Sequence, residues 1–334
     1  MDQEKKCSHA VFWITIILLV IVLLGSLLMN LGFFVSLIAR SGKIYAEKGE
    51  DEFPRLTEVW SYGEGTVKAA RISVEGALIR GMDPGMFSIK RDKIEKILRQ
   101  IRAARNDESV KAIILEVDSP GGEITPSDEI FTELMDFKNS NQGRKVVVFM
   151  KGIAASGGYY IAMAGDYILA EPTTLTGSIG VIIQSLNWKS LSEKIGVKDT
   201  TIKSGKNKDL LNPFQDPSQE QIDMLKDVVL KLHGRFIDIV CDSRNIEKSK
   251  MDVLADGRVF SASQALEHGL IDEIGYFRDA ARKAKELCQV ENLKIIRYEQ
   301  KTGLMEALFE ASQSLNLRTF LEGDSPRILY LWKP

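Results

Sequence analysis

Between residues 66 and 170 the chain alternates apolar, β-branched runs with stretches whose apolar side chains recur at helical spacing, and this alternation restricts the fold more than any other feature. A first strand is predicted over Thr66–Val74, ending at Glu75-Gly76, and a helix over Ile89–Asn106 with Ile94, Ile97, Leu98 and Ile101 on one side. Val110–Val117 reads as a second strand and Pro126–Lys138 as a second helix. Lys145–Met150 has the β-branched character of a buried strand, and Asp166–Ala170 is a further short one. Strands and helices in alternation argue for stacked β-α units in one α/β domain, and no internal repeat is visible.

Where the Lys145–Met150 strand ends, Ser156 stands between Ala154-Ala155 and Gly157-Gly158, ahead of a helix that begins near Tyr159. Serine peptidase chemistry needs a nucleophile, a base within reach, and donors for the developing oxyanion. The small neighbours let a substrate backbone approach Ser156, and the helix start offers the Gly157 N–H as one donor. Ser119-Pro120-Gly121-Gly122, following a strand, is a candidate for the second. Taken singly, the first motif also reads as close helix packing and the second as a turn.

The base is harder to supply. Of the three histidines, His9 is near the amino terminus, His268 stands at a helix end before Gly269, and His233 lies in an amphipathic helix predicted over residues 218–241. A lysine can replace histidine, and Lys203, Lys206 and Lys208 cluster in one loop. Composition does not choose among them, and a solvated basic loop is the plain alternative.

The 334 residues carry a net charge of -2, which gives no electrostatic reason to expect nucleic acid. Val11–Ile38 is nearly unbroken apolar sequence without charge, longer than a cleavable signal's core and followed by a poor cleavage site, so it reads as a retained membrane anchor. Lysines and arginines on its two sides do not settle its orientation. Residues 40–65 read as a linker. Cys7, Cys241 and Cys288 suggest neither a disulfide framework nor a metal site.

Asp118-Ser119-Pro120-Gly121-Gly122, Ala155-Ser156-Gly157-Gly158-Tyr159-Tyr160, Thr176-Gly177-Ser178-Ile179-Gly180 and Ser204-Gly205 with Lys208-Asp209, in that order, closely resemble the signal peptide peptidase A family over residues 66–290. The resemblance implies an α/β, Clp protease/crotonase-like stacked β-β-α superhelix preceded by one transmembrane helix. It implies Ser156 as nucleophile, Lys208 as general base, Ser178 as the hydroxyl orienting the lysine, and Gly157 with Gly122 as the oxyanion hole, with no metal or cofactor. Asp256–Ala262 and Gly269–Asp272 match a structural segment of the family.

The same resemblance implies a short cytoplasmic tail (1–10), an anchor (11–39), the linker (40–65), a peptidase domain (66–290) and a carboxy-terminal extension (291–334). In that extension Leu304, Ala307, Leu308 and Ala311 fall at helical spacing, and Pro326–Pro334 is expected to touch another subunit. Duplicated relatives pair serine and lysine from different repeats. A single-repeat chain is therefore expected to form a ring-shaped homo-oligomer in which Lys208 serves Ser156 of a neighbour. The expected substrates are hydrophobic signal-peptide remnants, met outside the cytoplasmic membrane. A membrane peptidase of other specificity, an idle oligomeric scaffold and an acyl-CoA enzyme of crotonase type are the competing readings; Ser156 with Lys208 and the anchor disfavour the last.

Overall fold

The computed structural model describes residues 13, 15–33, 36, 51–81, 92–299 and 328–331. The expected tail 1–10, the start of the helix at 89–91 and the helical pattern around 304–311 lie outside the described residues. The chain divides into two units, Met1–Phe53 and Pro54–Pro334.

The first unit contains α1 (Thr15–Phe33), with a mean hydropathy of 2.7 and none of its described residues buried. At about 1.5 Å per residue it is long and apolar enough to cross a bilayer core of about 30 Å.

The second unit is built on a mixed sheet. Its strands are β1 (Thr57–Tyr62), β2 (Lys68–Glu75), β3 (Val110–Ser119), β5 (Lys145–Ala155), β6 (Tyr167–Ala170), β7 (Leu175–Gly177), β9 (Val259–Ser261), β10 (Glu273–Ile274) and β11 (Lys294–Glu299). The main path runs β1-β11-β2-β3-β5-β6-β10, parallel from β11 onward, with β1 antiparallel at the edge. β7 continues beside the far end of β5, and β9 pairs antiparallel with it. A separate small sheet joins β4 (Gly121–Glu123), β12 (Ile328–Leu331) and β8 (Ile182–Ile183).

The unbroken apolar runs of β3 and β5 are explained by burial on both faces. Ile113, Leu115, Val117, Val146, Val148 and Met150 point into the larger core. That core takes the inner faces of α2 (Lys93–Asn106), α3 (Ile124–Asn139), α4 (Gly157–Ala162) and α6 (Gln219–Arg244). Ala112, Ile114, Val147 and Phe149 alternate to the other face, against Ala280, Ala281 and Ala284 of α9 (Phe277–Leu287). Each fully buried Ile, Leu or Val contributes about 1.5–3 kcal/mol of transfer free energy. Helix starts follow local chemistry: Asp92 caps α2 through the Ile94 N–H, and Ser218 with Gln221 forms a capping box on α6.

Both ends of the body contribute strands that sequence reading did not mark. The span read as a linker carries β1, whose Thr57, Val59 and Ser61 turn inward while Glu58, Trp60 and Tyr62 face out. Its antiparallel partner β11 lies inside the segment read as a carboxy-terminal extension, and itself pairs with β2. Residues 328–331 of the tail form β12, antiparallel to both β4 and β8.

Candidate active site

The site forms where β5 ends. Ser156 adopts φ 54° and ψ -115°, a conformation that non-glycine residues rarely occupy and that costs on the order of 1–3 kcal/mol. Two backbone bonds hold it there, and a side-chain bond fixes the strand just before it. Its N–H donates to the Gly177 carbonyl at 2.8 Å, its carbonyl accepts from the Tyr160 N–H at 2.8 Å, and Thr176 Oγ1 donates to the Ala154 carbonyl at 2.6 Å. The residue is 1% exposed, and its hydroxyl makes no hydrogen bond among the described residues.

Immediately after Ser156, α4 begins, and the N–H groups of its first turn have no acceptor within the helix. The Gly121-Gly122 loop lies against this turn: a side-chain carbon on Gly157 would stand 3.2 Å from Gly122 N and from Gly121 Cα. The structure therefore brings Ser156, Gly157 and Gly122 together. Gly122 has no room for a side chain, since a Cβ there would fall 2.3 Å from the Leu78 carbonyl oxygen. Leu78 and Gly122 form an isolated parallel bridge, with the Leu78 N–H donating to Gly121 O and the Glu123 N–H to Leu78 O.

Ser178 is also adjacent. It follows the Gly177 carbonyl that holds Ser156, is 7% exposed, adopts φ 51°, and donates its N–H to the Arg258 carbonyl at 2.7 Å. The helix that follows Ser156 is fixed from the carboxy-terminal half of the body. Tyr159 Oη donates to the Leu270 carbonyl at 2.9 Å, and burial pushes its hydroxyl well above the usual tyrosine range. Arg244 donates to the Gly269 carbonyl and to both carboxylate oxygens of Asp272.

Lys208 is not brought to Ser156. It is exposed, in a loop between α5 (Lys189–Ile195) and α6, and no hydrogen bond or ion pair joins it to another described side chain. Its two neighbours are engaged: Lys203 Nζ contacts both oxygens of Asp209 at 2.7 and 2.8 Å, and Lys206 pairs with Glu220. Neither His233 nor His268 bonds to Ser156; His268 ends α8 (Ala262–Glu267) and stacks edge-on with Phe260. Among the described residues, no group of three His, Cys, Asp or Glu side chains is placed to hold a metal ion.

Sequence reasoning did not single out Leu78, Ser127 or Thr176. Leu78 has no motif that would mark it, and it acts through its backbone. Ser127 Oγ donates to the Glu123 carbonyl at 2.9 Å and would lie 2.5 Å from a Gly157 side chain. Thr176 stands inside the Thr176–Gly180 motif, next to the two residues that border the serine.

Comparison with known proteins identifies the family. The sequence model of "Peptidase family S49" matches residues 138–291 and that of "Clp protease" matches residues 86–186. The chain is 37% identical over 245 residues to "Putative signal peptide peptidase SppA" of Enterococcus faecium, covering 73% of this chain and 71% of that one. It is 37% identical to "Protease 4" of Haemophilus influenzae over 66% of this chain and 35% of the other. Against "Serine protease SPPA, chloroplastic" of Arabidopsis thaliana the identity is 36%, over 59% and 29% of the two lengths. A buried serine on a strained turn, faced by a glycine pair, thus sits in a Clp protease-like fold, and the chain belongs to the serine peptidases of family S49.

Proposed function

We propose that the protein is a membrane-anchored endopeptidase that cleaves hydrophobic signal-peptide remnants through an acyl-enzyme at Ser156, with Lys208 as general base. The observation that carries the reading is the meeting of the strained Ser156 turn with the Gly121-Gly122 segment, which sets the Gly157 and Gly122 backbones side by side next to the serine. α1 serves as the anchor, its preceding residues in the cytoplasm and the catalytic body outside the membrane.

The amine of Lys208, in its neutral form, takes the proton as Ser156 Oγ attacks the scissile carbonyl carbon. The Gly157 and Gly122 N–H groups hold the oxyanion. The tetrahedral intermediate collapses, the C–N bond breaks, and the lysine returns the proton to the leaving amine. Water then repeats the sequence on the acyl-enzyme, its proton going to the lysine and from there to Ser156 Oγ as the ester bond breaks. Ser178, beside the Ser156 turn, orients the amine.

Two features support Lys208 as base and its delivery by a neighbouring subunit. Lys203 and Lys206 are each tied to a carboxylate, of Asp209 and Glu220, whereas Lys208 is tied to none among the described residues and can reach outward. Lys208 is exposed while Ser156 is buried, and the region around it exposes Leu186, Trp188, Ile195, Ile202 and Met224, the surface a subunit contact would cover. The slot between β4 and β8, filled here by the extended β12, supports an unfolded peptide segment as substrate, bound by strand addition.

The test is hydrolysis of a synthetic signal peptide by the full chain in detergent, between about pH 6 and pH 10. Activity is expected to rise with pH and to vanish in Ser156→Ala and in Lys208→Ala, while Lys203→Ala and Lys206→Ala retain it. Mixing the two inactive variants restores part of the rate if the pair is shared between subunits; a mixture that stays inactive assigns the pair to one chain.

A further inference from the structure

The nucleophile turn and the donor loop belong to different strands, so something must fix their separation. β3 and β5 run in regular parallel register from Ala112 opposite Lys145 to Val117 opposite Met150. The next pair is Ser119 opposite Ala154, so β5 carries two residues more than β3 over this step. Such a bulge leaves ladder groups unpaired and re-aims the strand beyond it. The residues beyond it here are Ala154, Ala155 and Ser156.

Asp118 occupies the gap. Its Oδ1 accepts the Ile153 N–H at 3.0 Å, inside the bulge, and would lie 3.3 Å from any side-chain carbon on Gly152. Ser119 governs the other loop. Its fully buried hydroxyl donates to the Gly76 carbonyl at 2.7 Å and accepts the Gly121 N–H at 3.1 Å, which holds Gly121 at φ 93°. The Ser119 carbonyl also meets the nucleophile helix, since a Cβ on Gly158 would lie 2.5 Å from it. Gly76 completes the frame by donating its N–H to the Asp118 carbonyl at 2.8 Å.

We propose that Asp118 and Ser119 are positioning residues that set the distance between the Ser156 hydroxyl and the Gly122 donor, Asp118 through the β5 bulge and Ser119 through Gly121. Neither touches the reacting atoms. The inference rests on the assignment of Ser156 and Gly122 proposed above.

The experiment measures kcat and KM for a peptide substrate with the full chain in detergent. In parallel it measures affinity for a peptide aldehyde, which forms a tetrahedral adduct at the serine, and for the same peptide ending in a carboxamide, which does not. Ser119→Ala and Asp118→Ala are expected to lower kcat about 10- to 100-fold, less than the loss of a whole oxyanion donor, with KM within about twofold. Aldehyde affinity should fall by the same factor and carboxamide affinity should hold. Asp118→Asn, which keeps an acceptor for the Ile153 N–H, should stay within about threefold of the parent, and Ser119→Cys, with a weaker donor and acceptor, should fall between parent and alanine.

Unchanged kcat in both alanine variants, a rise in KM alone, or equal loss of aldehyde and carboxamide affinity would overturn the proposal. Should the alanine variants not fold, Asp118→Asn decides, and a loss beyond about tenfold in that variant overturns the inference. An active Ser156→Ala chain would instead overturn the underlying site assignment.

Discussion

Gly157 offers a quantitative test of how the site is assembled. A side-chain carbon there would stand 2.5 Å from Ser127 Oγ, about half an ångström inside the 3.0 Å that real contacts respect, and 3.2 Å from Gly121 Cα and Gly122 N. Ser127 Oγ is held by its bond to the Glu123 carbonyl, so Gly157→Ala must push the Ser156 turn away from α3. Misplacement by about 1 Å costs roughly 10²-fold in rate, so a shift of about half that should lower kcat by roughly tenfold. Ser127→Ala removes the nearest obstacle and leaves only the tight 3.2 Å contacts. The double variant should therefore recover most of the loss, an interaction free energy of about 1 kcal/mol between touching sites. Gly122→Ala is the contrast, because its obstacle is the Leu78 backbone at 2.3 Å, and Ser127→Ala should not rescue it. The assay is single-turnover acylation with a chromogenic peptide ester across the double-mutant cycle. A double variant no faster than Gly157→Ala would refute the steric account, and a fully active Gly122→Ala would refute the placement of the donor loop.

Other outcomes follow from the surroundings of the site. Arg244→Ala strips Asp272 of both its guanidinium bonds in a largely buried pair and should cost about 3 kcal/mol, seen as a lower midpoint in denaturant melts; a loss below about 1 kcal/mol would contradict it. Burial pushes the Cys288 thiol up from its ordinary value near 9 to about 11, so it should resist alkylation at pH 8 in the folded protein and react readily in urea. Because the folded state holds that proton longer, the associated stability is present below about pH 9 and is lost as pH rises through 11, which urea melts of the parent and Cys288→Ala would compare. A chain ending before Ile328 vacates the slot between β4 and β8 and should show a lower KM at unchanged kcat; an unchanged KM would mean that peptides bind elsewhere.

Much of the body was legible because burial on both faces leaves a strong mark. The strands at 110–117 and 145–150 were read from continuous apolar runs, and the structure extends them to Ser119 and Ala155, where polar and small residues hid the continuation. β1 went unread because its exposed face carries Trp60 and Tyr62 and its partner β11 is remote in sequence, so no local pattern announces the pairing. Ser156, Gly122, Gly157 and Ser178 stood out in the sequence because each sits in a motif where a side chain is forbidden or a turn is forced. What motifs could not convey is which loop meets which. Leu78 supports Gly122 entirely through its main chain, and any apolar side chain there would look the same. The choice among Lys203, Lys206 and Lys208 stayed open in the residues because ion pairing with Asp209 and Glu220 is settled only by the loop's path.

The glycines around Ser156 also bear on how such an enzyme can vary. At positions 122, 157 and 158 the nearest neighbours of an added carbon are at 2.3, 2.5 and 2.5 Å, and at 122 and 158 the neighbour is a carbonyl oxygen of the main chain. Every replacement of glycine adds at least that carbon, so at 122 and 158 no graded series exists between full function and collision. Mutational drift at these positions meets a step instead of a slope. Variation is left to side chains further out, such as those of the loop between α5 and α6, where exposed residues like Ile202 can be exchanged one at a time without moving the backbone around Ser156.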